Sequence, residues 1–271
     1  MMKRLSVFLS FIAAMCVWAG NAQAVVLETN EWSTRTQAGW SYSTTTIPSI
    51  DNTTNTPAGG GALRMEYPAG MYTTSRGGGR AEFNLPTGLT DLYMGHWMKW
   101  SNPYTWNPIS TKIDYLVMRE ASTASGYRDN FLTMIQNNGT SLVFTQQLLN
   151  APSTQNRYPN RGGVNIQKNR WYWLEIHARL NTVGQADGFL EIWVDDVLIM
   201  QHSDVTYRTT NASWGQYQHS PEWGGGGGTI NQEQYIWFDH TVLSTTRIGR
   251  PTSSPPGDTT APRSPVLNFA N

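Results

Sequence analysis

His177 and Arg179 stand two residues apart, on the same side of an alternating segment as Trp173 and, across a polar turn, Trp193. An imidazole moves protons near neutral pH, a guanidinium clamps a carboxylate through paired hydrogen bonds, and an indole offers a flat stacking surface. Together they suit work on a flat, hydroxyl-rich, acidic ligand. The same residues also read as a solvent-facing ladder in which Arg179 pairs with Glu175 or Glu191. Arg80 and Glu82 share a strand face, as a carboxylate clamp or as a structural ion pair. His96 is a second candidate for proton transfer, although it points the same way as Met94 and Met98, as a buried structural histidine would. Trp97, on the face of Tyr93 and Lys99, is a further stacking candidate. Tyr217 and His219 precede five consecutive glycines, a run that reads either as a lid over a cleft or as a linker.

Other chemistries find no support. There is no GxSxG and no HExxH. Retaining glycoside hydrolysis needs two carboxyls about 5 Å apart. The nearest strand arrangement, Glu191 with Asp195 and Asp196, has Trp193 in its middle and ends in a turn.

These residues need strands to hold them. In residues 171–201, Leu174, Ile176, Ala178 and Leu180 alternate with Trp173, Glu175, His177 and Arg179. Leu190, Ile192 and Val194 alternate in the same way with Glu191, Trp193 and Asp195. Period-two alternation on both sides of NTVGQADG predicts a hairpin with one apolar face, and Asp195-Asp196 predicts a second turn leading into the apolar run 197–200. Further strands are predicted at 25–27, 62–67, 80–85, 92–100, 112–119, 131–136, 142–149 and 235–243, and polar loops between them. No capped helical period persists. The pattern predicts an all-β antiparallel sandwich or jelly roll.

Residues 1–24 carry Lys3 and Arg4, then an apolar run, then Ala22-Gln23-Ala24, the form of a secretory signal peptide. The expected location is secreted or periplasmic, released rather than lipid-anchored. The only cysteine, Cys16, lies in that segment, so no disulfide is expected. Removing 24 of 271 residues leaves 247, and removing Lys3 and Arg4 leaves 17 basic against 19 acidic groups, a formal charge of −2. That balance argues against a nucleic-acid partner. No later run reaches the roughly 20 apolar residues of a membrane span. Twelve tryptophans and twelve tyrosines against 14% charged residues suit flat, hydroxyl-rich ligands such as sugars, or else the tryptophans simply fill the core. The chain divides into the signal peptide 1–24, a single domain 25–249 and a Pro/Ser/Thr-rich tail 250–271, and is expected to act as a monomer.

The hairpin LNTVGQADGFLEIWVDD, the aromatic strand YMGHWMKWS, the segments TKIDYL and RAEF, and the late strand IWFDHTVLSTTRIG resemble the concanavalin A-like jelly-roll polysaccharide lyases, in particular the alginate and glucuronan lyases of the fourteenth lyase family. The resemblance covers most of 25–249 and implies a jelly-roll fold and β-elimination of an acidic, uronate-containing polysaccharide. That reaction must neutralise the C6 carboxylate, remove the C5 proton and protonate the leaving O4. The resemblance places Lys112 where the family's strand lysine sits, as general base or carboxylate partner; without it Lys112 is an exposed strand lysine. No metal is required for the chemistry. Asp239, with oxygens from Glu28 and Asn30, is a candidate for a structural Ca²⁺ joining the terminal strands, or it accepts backbone hydrogen bonds at a strand end. The competing function is a non-catalytic, lectin-like carbohydrate-binding domain; a third is a structural envelope or matrix protein without a groove. Convergence of Lys112, Arg80, His177 and Arg179 in one groove separates the enzyme from these.

Overall fold

In the computed structural model the described residues are 25–43, 48–72, 79–120, 127–137, 142–149, 154–224 and 228–252. The expected signal peptide and nearly all of the tail lie outside them. Fifteen strands in chain order make up the described elements: β1 (Val26–Asn30), β2 (Trp40–Tyr42), β3 (Ser49–Asp51), β4 (Ala62–Tyr67), β5 (Ala81–Asn84), β6 (Asp91–Trp100), β7 (Ser110–Glu120), β8 (Tyr127–Asn137), β9 (Leu142–Leu149), β10 (Gln155–Arg157), β11 (Tyr172–Arg179), β12 (Gly188–Val194), β13 (Val197–Val205), β14 (Ala212–Glu222) and β15 (Gln234–Ser244). They form two antiparallel sheets. One has eight strands, in the order β13-β12-β11-β6-β15-β4-β3 with β1 on β15; the other has seven, β10-β9-β8-β7-β14-β5-β2. The all-β sandwich expected from the alternation is the observed fold. No helix among the described residues is long and apolar enough to cross a membrane.

The core lies where the inner faces meet. Leu174, Ile176, Ala178, Leu190, Ile192 and Val194 of the predicted hairpin are buried in it, opposite Ile113, Leu116, Met118, Phe131, Ile135 and Phe144 of the seven-stranded sheet. The hairpin register pairs Leu174 with Val194 and His177 with Glu191, as the alternation requires. The Asp195-Asp196 turn is the left-handed kind that suits a tight hairpin, with φ of 50° and 65°.

Strand β14 differs from the reading of the sequence, which placed its residues before the glycine run as a cleft rim. It pairs with β7 on one side and β5 on the other. Pro221 is tolerated because the register shifts between His219 and Glu222, and a bulge has no ladder bond to lose there. A second irregularity sits opposite, between Lys112 and Asp114 of β7. Ile113 and Asp114 both turn inward, so Lys112 and Tyr115, three apart, share the outer face.

Candidate active site

The outer face of the seven-stranded sheet carries the candidate site. Lys112 Nζ donates to Glu222 Oε2 at 2.6 Å, and Tyr115 Oη donates to Glu222 Oε1 at 3.0 Å. One carboxylate thus holds an ammonium and a phenol together, on neighbouring strands. The Lys112 side chain is 26% exposed, so its charge can reach a ligand. Tyr115 is largely buried and packs its ring against Val117 and Met134. Beside them the register lays a polar row across the sheet: Ser41 opposite Glu82, Glu82 opposite Gln218, and Gln218 opposite Tyr115. Arg80 Nε lies 2.6 Å from Glu82 Oε2, so the predicted clamp residues form an ion pair at the edge of this row. The row thus presents a hydroxyl, a carboxylate, an amide and a phenol at strand spacing, with Arg80 near one end and Lys112 near the other.

Of the four residues whose convergence in one groove was to separate an enzyme from a binding domain, only Lys112 and Arg80 share this face, so that expected convergence does not occur. His177 and Arg179 do not. They belong to β11 of the other sheet, and their outer face is separated from this one by the full thickness of the sandwich, whose sheets alone pack about 10 Å apart. His177 there is bonded to Asp91 Oδ1 at 2.7 Å and Glu191 Oε2 at 3.2 Å and stacks on Tyr93 at 3.9 Å. His177 is therefore a buried, hydrogen-bonded histidine rather than part of a solvent-facing ladder, and Arg179, which that ladder paired with Glu175 or Glu191, is exposed and lies over Phe189. His177→Ala should leave any chemistry on the face of Lys112 unchanged and cost about 1–3 kcal/mol of stability for the lost hydrogen bonds to carboxylates, read by steady-state rates and thermal melts.

The expected indole platform is closed. Trp97 and Trp173 are buried with Val242 beneath Trp171 and Ile248. The segment around Ile248 is held down by Glu175, which accepts from the Ile248 and Gly249 amides at 2.7 and 3.0 Å. Arg247 covers Trp193 at 4.7 Å and Arg250 covers Trp97 at 5.1 Å. The alternation placed these indoles correctly on the outer face, but residues 247–250, distant in sequence from all three, fill the space a ligand would take.

His96, Tyr217 and His219 are also displaced from the site: they point inward, between the sheets. Tyr217 Oη donates to Asp114 Oδ1 at 3.2 Å, and His219 Nδ1 is 2.8 Å from the same oxygen. Burial pushes the His96 imidazole down to about 4 and that of His219 to about 3, and lifts the Asp114 carboxyl to about 6. None of them reaches the outer face.

The oxygens nominated for calcium are each taken by a different protein donor. Glu28 Oε1 accepts from the Trp40 indole at 2.9 Å, Asn30 Oδ1 from the Trp32 amide at 2.9 Å, and Asp239 from the Ala58 and His240 amides at 3.2 and 2.8 Å. Calcium wants six to eight oxygens turned to one point. In this structure each of the named oxygens has a protein donor, and no step below uses the ion. Burial, with the neighbouring charge of Glu31, raises the Asp239 carboxyl to about 7. A raised carboxyl stabilises the fold fully below the unfolded-state value of about 4, and that stabilisation is lost as pH rises through about 7. Melting temperatures of the wild type, taken relative to Asp239→Asn, should fall across that window; a flat difference would place a cation or another donor on the carboxylate.

The fold is that of the jelly-roll polysaccharide lyases. The chain is similar to the alginate lyase vAL-1 from Chlorella virus, with 15% identity, TM-score 0.61, 81% of this chain and 99% of that one covered. It is similar to the endo-beta-1,4-glucuronan lyase from the fungus Trichoderma reesei, with 15% identity, TM-score 0.59 and coverage of 82% and 96%. It is also similar to the alginate lyase Aly36B, as a variant with a lysine and a tyrosine replaced by alanine, in complex with alginate tetrasaccharide, with 14% identity, TM-score 0.52 and coverage of 70% and 82%. At these identities the likeness is one of fold. The sequence itself gives the more particular result: residues 117–239 match the family model described as polysaccharide lyase 14. No curated protein matches the sequence. The family match and the lyase neighbours together support a polysaccharide lyase. The matched span contains Gln218 and Glu222 and begins just after Lys112 and Tyr115.

Tyr115, Gln218 and Glu222 were not singled out from the sequence. Strict alternation from Lys112 selects Asp114, and only the bulge brings Tyr115 to the lysine's side. Glu222 sits between a proline and the glycine run, where no strand was expected.

Proposed function

We propose that the protein is a secreted lyase that cleaves a uronate-containing polysaccharide, of the alginate or glucuronan type, by β-elimination on the outer face of the seven-stranded sheet. The observation that carries the reading is the Lys112–Glu222–Tyr115 arrangement. Arg80, released from Glu82, neutralises the C6 carboxylate and so acidifies the C5 proton. Tyr115 Oη takes that proton while passing its own to Glu222 Oε1. The C5–H electrons form the C4=C5 double bond, the C4–O4 bond breaks, and O4 takes a proton from Lys112 Nζ. Glu222 then returns a proton to Lys112 across their 2.6 Å contact, which restores all three groups. The net movement is one proton from C5 to O4, with no added cofactor.

Two further features support the reading. A leader of the secretory form suits a polymer met outside the cell, and the Aly36B variant described above carries its tetrasaccharide with a lysine and a tyrosine removed. One observation favours a second reading, a binding domain: Lys112 and Arg80 already hold carboxylate partners, so a neutral glycan could lie on the Ser41–Gln218 row without disturbing either. The test is ultraviolet absorbance of the conjugated, unsaturated uronate during incubation with alginate, glucuronan and other uronate polymers. A rise with one polymer that Lys112→Ala abolishes supports the lyase. A flat trace with retardation on an affinity gel of the same polymer makes it a binding domain.

A further inference from the structure

Outside the candidate active site, the described residues hold one group of three metal-ligating side chains: His96, Asp114 and His219, all buried, with ligand atoms within 4.8 Å of one another. His96 comes from β6 of the eight-stranded sheet; Asp114 and His219 come from β7 and β14 of the other. Tyr217 joins them, its Oη 3.3 Å from His96 Nδ1, 3.3 Å from His219 Nδ1 and 3.2 Å from Asp114 Oδ1. Two buried atoms in the group, His96 Nε2 and Asp114 Oδ2, have no hydrogen-bond partner, and they lie 3.4 Å apart. Such orphaned polar atoms in a dry interior call for an explanation.

We propose that this cluster is a structural zinc site, with one imidazole nitrogen from each of His96 and His219, an Asp114 carboxylate oxygen and the Tyr217 oxygen as ligands. Tetrahedral Zn²⁺ with N and O ligands at about 2.0–2.1 Å sets its ligand atoms about 3.3 Å from one another. Three separations within one set of atoms, from Tyr217 Oη to His96 Nδ1, His219 Nδ1 and Asp114 Oδ1, already have that value within 0.1 Å; His96 Nε2 and Asp114 Oδ2 are the second polar atoms of the same two side chains. The fourth separation in that set, His219 Nδ1 to Asp114 Oδ1 at 2.8 Å, is a hydrogen bond that opens when the nitrogen gives up its proton. Thr241 permits that exchange. Its Oγ1 accepts from the Trp32 indole at 2.9 Å and lies 2.8 Å from His219 Nε2, so it can donate to the ring or accept from it. Nitrogen, carboxylate and phenol ligands without a thiolate suit Zn²⁺ or its tetrahedral substitute Co²⁺ better than Ca²⁺ or Mg²⁺. The site has no open position toward solvent, so the ion would join the sheets and take no part in elimination.

The test is refolding of the full chain from guanidinium with Zn²⁺, with Co²⁺ or with a chelator, followed by gel filtration, metal counting and thermal melts. The expected result is one metal per chain, the intense visible absorption of tetrahedral Co²⁺, and a melting temperature several degrees above that of the chelator-refolded protein. Tyr217→Phe, which keeps three ligands and the ring packing, should retain the metal with an altered Co²⁺ spectrum, and His219→Gln should lose it. Wild type that refolds equally well with chelator and carries no metal overturns the proposal. So does a bound ion whose spectrum is weak and octahedral, or unchanged in either variant. If His219→Gln does not fold, the spectrum of wild type against Tyr217→Phe decides.

Discussion

Tyr115→Phe is expected to lower kcat on the responsive uronate polymer by about 10²- to 10⁴-fold, the usual worth of a positioned proton-transfer group, with little change in KM. The hydroxyl is the only atom removed. The ring stays packed on Val117 and Met134, and Lys112 keeps its 2.6 Å contact with Glu222, so neither the strand nor the charge balance of the face is disturbed. The thermal melt should show only the loss of the Tyr115–Glu222 hydrogen bond, about 1–3 kcal/mol, with the fold intact. Lys112→Ala should lose turnover as well, but it leaves Glu222 without its cation and so also weakens binding of a polyanion. Separate effects on kcat and KM in the two variants would distinguish proton transfer from charge neutralisation. Turnover unchanged in Tyr115→Phe would remove the tyrosine from the relay and leave Lys112 as the base.

The second large effect is on stability alone. Trp173→Ala should cost about 3–5 kcal/mol, as removal of a buried indole does. That amounts to a fall in melting temperature of roughly 6–20 °C at the 2–4 °C per kcal/mol typical of a domain this size. Trp173 is fully buried, and the chain has shaped itself around the ring. A β-carbon built at Gly95 would come within 2.4 Å of the indole, so glycine is required on the facing strand. Below the melting point the variant should turn over substrate normally, because the indole lies on the far side of the sandwich from Lys112. A raised KM with unchanged stability would instead restore Trp173 as a stacking platform.

What could be read from the sequence was the part governed by local alternation. The hairpin β11–β12, its Asp195-Asp196 turn and the strand β6 follow from period two with their faces as read, and β4 and β9 lie where strands were expected. His96 kept company with Met94 and Met98, and it is buried with them. What could not be read were contacts made by segments distant in sequence. Nothing local to Trp97, Trp173 and Trp193 says that residues 247–250 return to cover them, and nothing local to His177 says which side of the sandwich holds the lysine. Strand β14 was obscured by Pro221 and the glycines that follow. Tyr217 and His219 alternate with Gln218 as strand residues should, but only the pairing with β7 shows that their side faces Asp114.

The bulge in β7 ties together two regions that share no ligand and no surface. One extra residue sends Lys112 and Tyr115 outward and Ile113 and Asp114 inward, so the relay and the interior cluster are set by the same local count of residues. Deleting a residue there would restore simple alternation and turn one of the two sets to the wrong side. Selection acting on the chemistry of this strand therefore also acts on the joint between the sheets, and neither can drift in register without the other.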